Sequence, residues 1–380
     1  MSTLKVNAIS DAAGANGNAI TLATDGTCTA KITNNLSNRN LIINGAMNVA
    51  QRSQSSTSGG YTVIDRWQLN DNNTNVTITQ SQHALTSGDT GPWAKGFRNS
   101  YSTALSAAGN SLSAASYCQL KYMIEAQDIA CSGWDYTSAS SYITFSFWFK
   151  CSTNQTFHAR WESYDGTAQN YPFSFTATGN NTWTKITKTI SGNSNITVNN
   201  DNGAGLGLSI SLFSGTDRTG TVTLNQWGAF SGSARHPDDA NTWITAGAST
   251  FEITGVQLEV SDHATEFEHL PYGTELAKCQ RYCVVTTRLP VMSNTAAGYI
   301  SCCSRPNPVP MRAAPSVALG GTLTYNPFFG SGHHTTTTTP TLQSNIADNF
   351  IINFSGWSGT TPTNTFGDVY NTTITLSAEL

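Results

Sequence analysis

Charge is scarce in this chain of 380 residues: Asp, Glu, Lys and Arg supply 11% of it, against roughly a quarter in an average soluble domain. The formal net charge is −4, and Lys and Arg never form a run. Nucleic-acid binding by phosphate neutralisation needs clustered cations, so no nucleic-acid partner is expected. No apolar stretch approaches the roughly 20 residues of a membrane-spanning helix, so no membrane insertion is expected. The opening Met1-Ser-Thr-Leu-Lys-Val6 lacks the apolar centre of a secretion signal peptide. That predicts a product that stays in the compartment of its synthesis or leaves by lysis.

Motifs that carry chemistry are also missing. The cysteines at 28, 118, 131, 151, 279, 283, 302 and 303 form no CxxC pair and no two ligand pairs at zinc spacing. Without a secretion signal they read as buried free thiols, and the adjacent Cys302 and Cys303 are not expected to pair with each other. There is no Gly-Lys phosphate loop, GxSxG elbow or Cys/His nucleophile arrangement. The sequence therefore predicts no enzyme, no catalytic residues, no cofactor and no resident metal.

Asn, Thr, Ser and Gly fill the space that charge leaves. These residues suit turns and strand faces and are poor in helix interiors. Aromatics reach 10%, with nine Trp, so real cores are affordable and disorder is excluded. Residues 1–40 stand apart. Short β pieces (Leu4 to Val6, Ala19 to Leu22, Ala30 to Ile32) are broken by Gly14, Gly17 and Gly26. One copy has too little apolar surface to fold alone. Leu4, Val6, Ile9, Ile20 and Leu22 are the candidate anchoring residues, and a segment needing company predicts a homotrimer with a docking partner.

From residue 41 to 271 the pattern is that of a jelly-roll-like β-sandwich. Ile143, Phe145, Phe147 and Phe149 fall on one strand face, with Thr144, Ser146, Trp148 and Lys150 on the other. Leu206, Leu208, Ile210 and Leu212 repeat this. Further strands are expected at 63–69, 76–80, 119–126, 156–163, 171–176, 182–190, 221–230 and 251–260, separated by turn signals. Asn44-Gly45 signals a tight turn, Asp65 and Arg66 an ion pair with each other, and Gly255 a bulge or close backbone approach. Residues 272–285 form a short helical linker, with Thr274 as cap, Glu275 and Lys278/Arg281 suiting the dipole, and Leu276, Cys279 and Cys283 on one face. Residues 286–380 predict a second, smaller β domain with strands at 350–354 and 369–377 and an exposed loop over the polar insert His333-His334-Thr-Thr-Thr-Thr-Thr339.

Three stretches carry a resemblance. Asn40-Leu-Ile-Ile-Asn-Gly-Ala-Met-Asn-Val-Ala-Gln-Arg52 precedes Val63-Ile-Asp-Arg-Trp67. Ile253-Thr-Gly-Val-Gln-Leu-Glu-Val260 leads into Ala264-Thr-Glu-Phe-Glu-His269, and Pro271-Tyr-Gly-Thr-Glu-Leu-Ala-Lys-Cys-Gln-Arg-Tyr282 follows. Together with Pro310-Met-Arg-Ala-Ala-Pro315, the set resembles tail-fibre and receptor-binding virion proteins of marine and environmental bacteriophages, over about residues 40–315. The opening Met1-Ser-Thr-Leu-Lys-Val-Asn-Ala-Ile9 also resembles starts of phage fibres. The resemblance implies a sandwich shaped like carbohydrate-binding modules, trimeric assembly, and attachment to host-surface polysaccharide. It further implies a place on the virion, synthesis in the host cytoplasm, and contact with other tail or virion proteins through the N-terminus. A purely structural role (head decoration, short fibre or tail adaptor) and a tail depolymerase are the alternatives.

Sugar binding needs aromatic platforms beside amide and hydroxyl groups. Trp93, Trp134, Trp161, Tyr164 and Trp243 are the candidates outside the evident core faces. Glu162 and Asp165 are a carboxylate pair to inspect for glycosidase chemistry, as are Asp128 and Asp135 near Trp134, although Asp165-Gly166 is also an ordinary hairpin turn. Asn199-Asn-Asp-Asn-Gly203 is rich in oxygen ligands but lacks the spaced acidic pattern of a calcium loop, and His333 and His334, as neighbours, point apart.

Overall fold

The computed structural model describes residues 38–72, 74–293, 300–302, 309–328, 332–338, 340–342, 352–358, 361 and 364–380, with 8–10, 18–22, 24 and 28–30. Two six-stranded antiparallel sheets pack face to face. The first runs Gly228–Ala229, Gln169–Thr178, Asn154–Ser163, Ala204–Ser214, Tyr117–Glu125, Trp67–Asn72. The second runs Thr184–Ser191, Tyr142–Cys151, Thr250–Val260, Asn99–Leu105, Ile78–Ala84, Ser55–Ser56.

Period-two alternation drives the packing. Ile143, Phe145, Phe147 and Phe149 all point inward and are buried. They meet Phe157, Trp161, Phe173 and Phe175 of the facing sheet in one core. Phe145 stands edge-on to Trp161 at 5.2 Å and 90°, and Phe149 to Phe175 at 4.8 Å and 78°. Such contacts add about 0.5–1.5 kcal/mol each beyond area burial.

Gly255 produces both effects expected of it. It sits at φ 62° where the register slips between Thr254 and Gln257, and a Cβ there would lie 2.6 Å from the Phe97 ring. The Asn44 turn is also present, with φ 60°, and its buried side chain bonds Val49 and Asp65 backbone. Asn99–Leu105 was not expected. Its Ser and Thr residues break the apolar alternation, yet Ser100 and Thr103 are fully buried. Of 221–230, only Gly228–Ala229 is a strand. Residues 63–66 form turns, and the strand starts at Trp67.

A helix follows at Tyr272–Gln280. Its N-cap is Pro271 without a side-chain cap bond, so Thr274 lies inside the first turn and does not cap. Glu275 is buried and accepts a bond from the Asn44 backbone N–H. Cys279 and Cys283 are fully buried, while Leu276 is half-buried.

Residues 283–377 build two further sheets around a separate core of Leu289, Ile300, Leu323, Tyr325, Phe354, Val369 and Leu376. Ile374–Ser377 lies between Cys283–Thr286 and Ser316–Leu319. Seven short strands run His334–Thr336, Leu323–Pro327, Phe366–Tyr370, Leu289–Ser293, Ile300–Cys302, Ile352–Phe354, Thr341–Leu342. Two expectations are corrected here. The single strand at 369–377 is two, broken where Asn371 turns at φ 78°. His334–Thr336 is not a free loop, because it pairs with Leu323, Thr324 and Tyr325.

In the N-terminal part, Ala8–Ser10, Asn18–Leu22 and Cys28–Ala30 form a three-stranded antiparallel sheet, with Ile9 opposite Ile20 and Leu22 opposite Cys28. Leu4 and Val6 lie outside the described residues.

The sandwich, helix and last residues meet in a buried polar knot. Asp65 and Arg66 do not pair with each other: Asp65 turns to Gln51 and Arg52, and Arg66 to Glu379. Arg66 bonds Glu379 at 2.6 Å and lies over the Tyr282 ring at 3.4 Å. Arg52 joins Glu379 at 3.1 Å and Asp65 at 3.8 Å. Burial pushes the Asp65 carboxyl up to about 6, against the pull of its Gln51 bonds and Arg52. Arg312 adds bonds to the backbone oxygens of Ala378, Glu379 and Asn202.

Candidate functional site

A strand that is apolar inward must be polar outward, and the first sheet shows how far this goes. On Asn154–Ser163 the inward Phe157, Ala159 and Trp161 alternate with His158, Arg160 and Glu162. Register carries this polarity across the sheet. Arg160 faces Ser209, which faces Lys121, which faces Gln68. The next rows place His158, Ser211, Gln119 and Asn70 together, and Asn170, Glu162, Gly207 and Met123 together.

Most of this outer face is nonetheless covered. His158, Arg160, Glu162, Ser209, Ser211, Gln119 and Asn170 are all buried. The cover is the irregular segment 215–241, which crosses the sheet. Asp239 accepts bonds from Ser211 Oγ at 2.5 Å and pairs with His158 Nδ1 at 2.8 Å. The His158 and His236 rings stack at 5.3 Å and 16°. The Asn170 side-chain amide donates to the Arg235 carbonyl at 2.7 Å. Phe230 lies under Arg160 at 5.3 Å and Arg235 at 5.7 Å, and Arg218 lies over Tyr117 at 4.0 Å.

Where the cover stops, a half-open polar and aromatic surface remains: Tyr117, Lys121, Tyr164, Arg218, Phe230 and Arg235 are all half-buried. The Tyr164 ring packs against Gly207, where a Cβ would lie 2.7 Å from it. Burial and the Glu162 charge push its hydroxyl up to about 12. Arg160 holds Glu162 in a close ion pair, with the Tyr164 hydroxyl 3.5 Å from the same carboxylate oxygen. Burial, then the Arg160 charge, brings the Lys121 ammonium below its ordinary range. Arg218 Nε and Asn170 Oδ1 are buried and have no hydrogen-bond partner among the described residues.

Of the five aromatic residues expected as platforms, only Tyr164 belongs to this surface. Trp161 and Trp243 are fully buried and Trp134 nearly so, which rules them out as platforms. Trp161 lies on the inward face of its strand, Trp243 on the short Thr242–Thr245 helix against the core, and Trp134 packs edge-on to Tyr136. Trp93 is half-buried on a single 3-10 turn under the Arg98 guanidinium, 3.9 Å from its ring. Tyr117, Phe230, Arg218 and Arg235 were missed; an irregular covering segment leaves no periodic signal.

The candidates for other chemistry resolve as follows. Asp165 does not face Glu162 as a partner; it accepts two 2.8 Å bonds from Asn199. In the Asn199–Gly203 loop, Asp201 accepts from Gly203 N–H at 2.8 Å, a turn contact. His333 approaches the Tyr370 hydroxyl, while His334 approaches the Ser358 carbonyl. Among the described residues, His158, His236 and Asp239 bring ligand atoms within 4.8 Å of one another. The sequence offered His236-Pro-Asp-Asp239 as its only trace. His236 Nδ1 lies 2.8 Å from the Pro237 carbonyl. Its protonation is disfavoured by burial first, against the pull of Asp239 and the Pro237 carbonyl, with His158 and Arg160 adding smaller opposition. The group forms a hydrogen-bonded latch that ties the covering segment to the sheet.

A second concavity, about 580 Å³, lies between sandwich and helix and is lined by Arg39, Asp128, Val260, Lys278, Arg281 and neighbours. Its Arg281 makes a two-pronged ion pair with Glu125, 2.7 Å on each arm.

No family model and no curated protein matches this chain. Among solved structures it is similar to the enzymatically active domain of bacteriophage CBA120 tailspike protein 4. There the TM-score is 0.33 at 12% identity, over 59% of this chain and 22% of that one. A CBM4 structure gives 0.31 at 12%, over 57% and 98%. TmCBM61 in complex with beta-1,4-galactotriose gives 0.28 at 11%, over 59% and 99%. The chain thus spans about a fifth of the tailspike chain it matches.

Proposed function

We propose that this protein is a non-catalytic, polysaccharide-binding adhesion protein of a phage particle, and that the uncovered margin of its first sheet's outer face is the binding surface. The observation that carries the reading is that face itself. Strand register sets Lys121 beside Gln68, and Tyr117, Tyr164, Phe230, Arg218 and Arg235 stand half-buried around them, over a buried layer of Arg160, Glu162 and Ser209 that holds the margin in place. Sugars are recognised by this combination of flat apolar rings with fixed donors and acceptors. Single contacts of this kind are weak, so three linked copies would turn them into avidity. The N-terminal strands, with Ile9, Ile20 and Leu22, would supply the docking and trimerising element, and the virion motifs of residues 40–315 favour a tail fibre over a free lectin.

The two carboxylates weighed as a glycosidase pair support the non-catalytic reading. Glycoside hydrolysis needs two carboxyl groups roughly 5–10 Å apart across a sugar. Glu162 is committed to Arg160, and Asp165 to Asn199. Titration calorimetry of the full chain against purified host-surface polysaccharide should show saturable binding that Tyr117→Ala with Tyr164→Ala removes. Shortening of the polysaccharide during incubation would replace adhesion by a depolymerase. Absence of adsorption to host cells would favour a purely structural virion role, and sedimentation as a monomer would remove the trimer.

A further inference from the structure

The chain has only 19 Lys and Arg residues, and four of them converge on one part of one sheet face. Arg160 and Lys121 flank Ser209 on adjacent strands, so their backbones are about 10 Å apart. Arg160 and Arg235 share the Phe230 ring, and Arg218 covers Tyr117. Glu162 pairs directly with Arg160, and its single charge also acts on Lys121 and Arg235 without offsetting their burial and repulsion. Among the described residues, Lys121, Arg218 and Arg235 have no ion-pair partner. The carboxylates of the covering segment are turned to other uses. Asp239 is held by Ser211 and His158, and Asp238 accepts from the Thr219 hydroxyl. Asp217 is exposed on its loop.

Like charges gathered in a partly desolvated place repel, and that cost persists unless a counter-charge arrives. The strain is visible in the groups themselves. Burial first, then Arg160 and Arg218, lowers Arg235, and burial and Arg160 lower Lys121. Contrast the Arg66 knot, where every buried guanidinium has its carboxylate. The sheet face is a positive site left open beside aromatic rings.

We infer that the binding face selects anionic polysaccharide, with Lys121, Arg218 and Arg235 taking carboxylate or sulfate groups while Tyr117 and Phe230 support the sugar ring. This rests on the adhesion reading above and narrows its ligand class. Planar guanidinium groups suit both anions through paired N–H donors, so uronate and sulfate are two sources of one chemistry.

The test is equilibrium binding of the full chain to a polyuronate, a sulfated galactan, the same galactan without sulfate, and a neutral glucan, each at low and high salt. At least one anionic polymer should bind about tenfold more tightly than the neutral ones, and added salt should erase the difference. The arm that binds identifies the anion. Lys121→Gln with Arg235→Gln should abolish the anionic preference, and Arg235→Lys should retain most of it, which separates lost charge from lost fold. Equal, salt-insensitive binding of neutral and anionic polymers would overturn the anionic preference and leave adhesion standing. Binding of none of the four, at either salt, would overturn both.

Discussion

Two clusters of arginine in this molecule do opposite things with similar parts. In the knot at the sandwich base, Arg66 and Arg52 meet Glu379 and Asp65, and Arg66 is fully enclosed by Tyr122 and Tyr282. On the sheet face, Arg160, Arg218, Arg235 and Lys121 gather with one carboxylate, Glu162, among them. Enclosure with compensation makes a joint. Partial enclosure with a single carboxylate leaves a positive face, the surface proposed to meet a ligand. Sequence composition treats the two alike, and only their partners tell them apart.

Removing a charge should therefore hurt one cluster and spare the other. The largest effect is expected from Arg66→Met, which takes from buried Glu379 the nearer of its two cations and should cost about 3–5 kcal/mol in denaturant unfolding. Adding Glu379→Gln should recover much of that loss, and failure of the double variant to recover would mean the knot is held by ring packing alone.

Next comes the pH dependence of the same joint. Asp65 has its folded pKa raised to about 6, above its value near 3.8–3.9 in an unfolded chain. The folded state keeps this proton longer, so the group's contribution to stability is full below about pH 4 and falls as pH rises through 6. Over that window wild type should lose up to about 3 kcal/mol relative to Asp65→Asn. Parallel pH profiles for the two proteins would show instead that Asp65 is ionised throughout.

A smaller effect is expected at the latch. Asp239→Asn weakens its contacts to Ser211 and His158 and should cost about 1–2 kcal/mol, with faster amide exchange across 216–241 and unchanged exchange in the core strands. The smallest sharpens the contrast most. Arg235→Gln relieves repulsion and breaks no ion pair, so its melting should match or exceed wild type, within about 0.5 kcal/mol. A loss as large as that of Arg66→Met would make both clusters structural.

The architecture was legible where one face is apolar and the other is not. Ile143 to Phe149 and Leu206 to Leu212 announced their strands because burial on one side requires alternation. Asn99–Leu105 gave no such warning, since small polar side chains fill its buried positions. The site was far less legible. Arg160 and Glu162 look like ordinary outward residues, and nothing local says that residues 215–241 will come to lie over them. Trp161 and Trp243 were misassigned for the converse reason: large rings near turn signals look available until a second layer covers them. Tyr164 was found because it sits at the end of a readable strand, beside a turn.

The knot also has a consequence in time. Arg66 and Glu379 are 313 positions apart, and the ribosome adds about 5–20 residues per second. For many seconds the nascent sandwich would carry an enclosed guanidinium with no counter-ion, a state that disfavours early closure of its base. Completion of the last strand, Ile374–Ser377, brings the missing carboxylate and seals both cores together. A copy broken off before that point would lack the Glu379 carboxylate and should be looser at its base and more open to proteolysis.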